Sequence, residues 1–227
     1  MRSLSEEEKR ALVEAMRRAL ASGAWQRVAG LHGLPGDTTI CGTRAIPSPC
    51  CPHSEGTGAQ FLPWHRNYMV QLEEVLGLAL PYWDWTEDSA WPNLFEELLP
   101  AIHESAGIDV IAGLNRHGRP GQCDPATPGG LAAYRARQGG VAHSDFLQEQ
   151  PNYRRQVGLA LTKENYREFT SQLSQPHNMV HNTNPCNLRP TLVAAWDPVF
   201  FLHHAYVDMQ YAYWQVGCAI KLYVVAL

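Results

Sequence analysis

His177 and His181, four residues apart in "QPHNMVHNTNPC", are a pair whose spacing suits chemistry. On a helix, positions i and i+4 share a face, so both imidazoles can turn toward one ion. Many histidines at this spacing simply satisfy a core or a surface, so the pair needs company before it means more. "FFLHHAYVD" sets His203 and His204 into a nearly continuous apolar run, where an imidazole requires a polar partner. Adjacent helical residues point roughly 100° apart, so only one of the two is expected to aim at a shared site. Asp208 lies one turn beyond His204 on the same face and can orient that side. His204 is therefore the expected ligand, and His203 is expected to pack or to support it.

The first half of the chain offers a matching set. His65 sits in "FLPWHRNY", His53 follows a cysteine cluster in "CCPHSEG", and His32 lies in "LHGLP". Aromatic, proline or glycine residues flank all three, whereas His103, His117 and His143 have polar or loop surroundings and read as solvated. Two triads of imidazoles with no paired carboxylate ligands suit copper, zinc or nickel and disfavour magnesium or calcium. Neutral ligands leave a bound divalent pair highly positive. That favours an anionic bridging ligand, and so redox or oxygen chemistry.

Helices must position these residues. Periodicity and stop signals predict helices over 5–21, 24–32 and 62–76, with Pro63 in the first turn of the third and Gly77 ending it. "LALPYWDWT" reads as a short extended piece and 92–106 as weakly helical. The Gly-, Pro-, Arg- and Gln-rich stretch 107–157 reads mostly as loop. Helix returns over 163–174 and 176–182, and a last helix starts at Asp197-Pro198, an N-cap followed by a first-turn proline. The expected fold is one mainly α domain over 1–227, a helical bundle with long irregular loops.

Composition narrows the partners. A net charge of −4 and a pI near 6.2 argue against a nucleic-acid or anionic-membrane surface. Lys221 interrupts the best apolar run before it reaches spanning length. The N-terminus is charged, with a capping box at Ser5–Glu8, and is no signal peptide, so a secreted protein would have its leader outside this chain. Cys41, Cys50 and Cys51 crowd into eleven residues, which hints at an oxidising compartment. The plain reading is one local disulfide, Cys41–Cys50, with the remaining cysteines as buried thiols.

These residues resemble the type 3 copper proteins: tyrosinases, catechol oxidases and molluscan-type haemocyanins. The likeness runs from "SLSEEEKRALVEAM" to "VDMQYAYWQ" and rests on "LHG", "CCPH", "FLPWHRNY", "LPYWDWT", "HNMVH" and "DPVFFLHHAYVD" taken together. It implies a four-helix bundle with little β structure around two copper ions, one on His32, His53 and His65 and the other on His177, His181 and His204. In the family motif the second histidine of the HH pair is the ligand, seven residues after the Asp of the DP dipeptide, as His204 is after Asp197.

The resemblance also assigns finer roles. Cys51, two positions before His53, would form a thioether to that imidazole, leaving Cys50 to pair with Cys41. Asn178 and Glu168 would hold a water that deprotonates an incoming phenol. Thr191 would stand where plant catechol oxidases place a bulky gate, leaving the site open. Phe61 and Phe201 would line the substrate pocket, and Phe200 would only pack. Three departures stand out: "SEGTGAQ" lengthens the interval from His53 to His65, "NTNPCNLRP" replaces a Gly-rich stretch, and Met209 replaces the Arg after "VD". Arg66 is the remaining cation placed to reach Asp208.

The implied activity is that of a tyrosinase-like oxidase: ortho-hydroxylation of monophenols and oxidation of catechols to ortho-quinones, with dioxygen and small phenolic or catecholic molecules as partners. Rival expectations are a haemocyanin-like reversible dioxygen carrier, a catechol oxidase lacking hydroxylation, and a zinc-bound, redox-inert relative. Haemocyanins normally shield the site with a C-terminal β domain, for which no length is left after "CAIKLYVVAL", and this favours substrate access. No G-x-S-x-G or H-E-x-x-H motif supports a hydrolase.

Overall fold

The computed structural model describes residues 4–33, 60–90, 92–106, 141–183 and 194–225, and no strand occurs among them. The helices are α1 (Glu6–Ala21), α2 (Ala24–His32), α3 (Phe61–Leu76), α4 (Leu99–Ala106), α5 (Val141–Leu161), α6 (Tyr166–Thr183) and α7 (Val199–Val225). The mainly α fold expected from the sequence is the fold observed.

Local chemistry explains most boundaries. At the start of α1, the Glu8 amide donates to Ser5 Oγ while the Ser5 amide donates to Glu8 Oε2, which closes the capping box. Leu12, Ala15, Met16 and Ala19 are buried at helical spacing. Gly23, with φ of +71°, makes the tight turn into α2, a conformation that costs glycine nothing. Trp25, Val28, Ala29 and His32 then share the buried face of α2. In α3 the buried stripe is Phe61, Leu62, His65, Tyr68, Met69, Leu72 and Leu76, so His65 occupies a core position.

Two helices depart from the sequence expectation. α5 covers much of what reads as loop, because Phe146, Tyr153, Val157 and Ala160 form a buried helical face that outweighs an internal Pro151. α6 is continuous where two helices were expected. Its Pro176 lies inside the helix, removing one backbone donor immediately before His177.

α1 packs on α2 and α3, α3 packs on α7, and α5 packs on both α6 and α7. The extended segment after α3 is stitched to the last helix where the Trp83 amide donates to the Leu202 carbonyl at 2.9 Å. Trp83 and Trp85 from that segment are fully buried. The Trp196 indole donates to the Gly33 carbonyl at 3.0 Å, tying the end of α2 to the short 3-10 turn before α7. The helix ends bearing His32 and His204 are thereby held side by side.

Candidate metal centre

Four helices deliver the imidazoles. α6 carries His177 and His181 one turn apart, and α7 carries His203 and His204. The Nε2 atoms of His181 and His177 lie 3.1 Å apart, and those of His177 and His204 lie 3.3 Å apart. Ligands roughly 2.0 Å from a shared tetrahedral ion stand roughly 3.3 Å from one another, so the two edges that meet at His177 already have the spacing of a metal's ligand set. The residues present fit a metal of the borderline class that imidazole prefers.

His32 and His65 form a second group beside the first, with ring centroids 5.8 Å apart. His65 Nδ1 is 2.8 Å from the Phe61 carbonyl, which can only accept, so Nδ1 carries the proton and Nε2 presents its lone pair. The two groups touch directly: the rings of His65 and His204 are stacked at 4.1 Å and 8°. His53, Cys41, Cys50, Cys51 and Thr191 lie outside the described residues.

Electrostatics keep the site ready to bind cations. Burial first, and the neighbouring imidazoles after it, hold His203 and His204 well below the usual histidine range. Both are therefore neutral at ordinary pH. His177 is buried as well, while His181 is partly exposed and marks the side of the cluster nearest solvent.

Two of the aromatic expectations need correction. Phe200, expected only to pack, is the aromatic wall of the site: its ring lies 4.2 Å from His204, 4.8 Å from His32 and 5.9 Å from His181. Phe201, expected in the pocket, turns the other way against Trp25 and Tyr68, because adjacent helical residues diverge. Phe61 does stand at the site, 4.8 Å from His65 and 5.0 Å from His177.

Glu168 is not brought to the cluster. It is exposed in the first turn of α6, its amide donating to the Asn165 side chain, and it stands about 15 Å along the axis from Asn178 at 1.5 Å per residue. Asn178 is also exposed, three residues before the partly exposed His181.

His203, expected to pack or to support His204, is a full member of the cluster. It is fully buried, 5.0 Å from His177 and 4.8 Å from His181. The signal was there in the HH pair. The rings of both His203 and His204 lie within 5.6 Å of His177 and His181, so the pair brackets the α6 histidines from two sides.

Behind the ligands, Arg66 Nε donates to Asp208 Oδ1 at 2.6 Å, its other arm donates to Gln215, and its guanidinium lies over the Tyr211 ring. Burial raises the Asp208 carboxyl, partly offset by that guanidinium. The clasp joins α3 to α7 directly beside His65 and one turn from His204.

Comparison with known proteins agrees with this chemistry. Residues 22–217 match the family described as the common central domain of tyrosinase. Hemocyanin 2 of Megathura crenulata is 31% identical over 95% of this chain and 6% of its own length. Unit G of the beta-C chain hemocyanin of Helix pomatia is 30% identical over 93% of this chain and 52% of its own. A functional unit from octopus hemocyanin shares the fold, with a TM-score of 0.64 at 20% identity over 97% of this chain and 53% of that one. The chain thus spans about half the length, or less, of these relatives. With its imidazoles gathered as the donor set requires, the chain belongs to the type 3 copper protein family and takes a pair of copper ions as its cofactor.

Proposed function

We propose that the protein is a copper-dependent oxidase of small phenols and catechols. The observation that carries this reading is the convergence of the His177, His181 and His204 Nε2 atoms beside His65, with His181 reaching toward solvent. Bound copper supplies the redox chemistry with dioxygen. A monophenol and one dioxygen give an ortho-quinone and one water, and two catechols and one dioxygen give two ortho-quinones and two waters.

The chain's own residues prepare and shelter that reaction. His65 is locked in one tautomer by the Phe61 carbonyl. Phe61 and Phe200 make the surroundings apolar and keep bulk water from the imidazoles. Asn178, exposed three residues before His181, receives a phenolic hydroxyl on its way in on this reading. His32 and His65 are completed by His53 on this reading, with Cys51 bonded to His53, Cys41 paired with Cys50 and Thr191 leaving the approach open. The clustered cysteines support a secreted protein or another oxidising compartment. No described helix is long and apolar enough to cross a membrane.

A second reading, reversible dioxygen carriage, is favoured by the relatives, which bear the name hemocyanin. Copper reconstitution followed by parallel assays on a monophenol and a catechol separates the two. Quinone from both substrates supports the oxidase, and quinone from the catechol alone narrows it to a catechol oxidase. A reversible dioxygen spectrum with no quinone from either establishes the carrier.

A further inference from the structure

Copper bound by His177, His181 and His204 leaves His203 without a task, yet His203 is as central as any of them. Its ring is fully buried, and neither ring nitrogen has a hydrogen-bond partner among the described residues. Two orphaned polar atoms in a dry interior are costly, and a cation relieves that cost by taking a lone pair.

The arrangement of the four rings is specific. The six centroid separations among His177, His181, His203 and His204 are 4.6, 5.0, 4.9, 4.8, 5.6 and 5.1 Å. Four points with nearly equal separations are the corners of a tetrahedron. Imidazoles bound at roughly 2.0 Å around one tetrahedral ion would place their centroids roughly 5 Å apart. One ligand nitrogen from each ring lies within 4.8 Å of all the others.

We propose that His203 joins His177, His181 and His204 as the fourth ligand of a closed, all-imidazole site for a single zinc ion. Zinc has no preference of its own against the tetrahedron, whereas copper(II) favours tetragonal ligand sets, so the fourth ring serves zinc better than copper. The closed site has no open position for dioxygen. Zinc therefore shuts the centre instead of imitating copper. The proposal rests on the metal-binding reading of the three histidines and is independent of phenol oxidation.

The test uses metal-free protein carrying His32→Ala, which disables the neighbouring centre, given one equivalent of zinc. X-ray absorption should count four imidazoles on the ion. Adding His203→Phe should lower the count to three imidazoles plus one oxygen. Zinc affinity, measured by competition with a chelator, should then fall at least about tenfold, since even loss of an outer hydrogen-bonding partner costs a metal site that much. Three imidazoles and a water in protein retaining His203 would overturn the proposal whether or not the phenylalanine variant folds. So would an affinity indifferent to His203→Phe. Failure of copper-loaded wild-type protein to oxidise phenols would remove the oxidase reading and leave the zinc count untouched.

Discussion

Individual side chains divide sharply by what they touch. His177→Ala or His204→Ala removes one of three converging nitrogens, and each variant should lose dioxygen binding while its helical circular dichroism persists; a normal dioxygen spectrum from either refutes the ligand set. Phe200→Leu and Phe201→Leu are chemically the same change at adjacent positions. The first should weaken copper retention because Phe200 backs His32 and His204, and the second should cost about 1–3 kcal/mol of stability with copper retention intact. Asn178→Ala should depress phenol hydroxylation more than catechol oxidation. Glu168→Gln should change neither, and a selective loss there would return the glutamate to the site. The gathering of His32, His65, His177, His181 and His204 was legible in the sequence because histidines within apolar helical stripes have few other uses. Which of two adjacent rings faces the site was not, since that depends on how neighbouring helices meet. The Phe200 and Phe201 assignments failed for this reason.

Secondary structure was legible where capping and periodicity agreed. α1, α2 and α3 begin and end within a residue of their expected limits, on the Ser5–Glu8 box, the Gly23 turn and the Gly77 stop. α5 was hidden by Pro151 and a polar composition. Only packing against Trp83 and Trp85 of the extended segment reveals what Phe146 and Tyr153 are for. α7 depends on its first turn, where buried Asp197 accepts the Val199 amide at 3.0 Å. Asp197→Ala should destabilise the protein by about 1–2 kcal/mol in urea unfolding. Copper retention should fall with it, because this turn sets the start of the helix that bears His204. Unchanged retention in a destabilised variant would show that His204 is held by later contacts instead.

For the molecule as a whole, metal and proton compete for the same interior. His203 and His204 are depressed bases, so below about pH 6.5 the unfolded chain binds protons that the folded one refuses. Stability of the metal-free protein should be flat above that value and fall as pH drops through it. Thermal unfolding from pH 8 to 5 measures this, and a profile flat to pH 5 would contradict it. Copper should raise the melting temperature, and chelation should reverse the gain. The stacked contact of His65 on His204 has a consequence for loading. With only 4.1 Å between rings belonging to opposite halves of the cluster, a ring that swings to greet the first cation displaces the surface its neighbour rests on. Occupancy of the two halves is thereby coupled, and titrated copper should not fill them as independent sites.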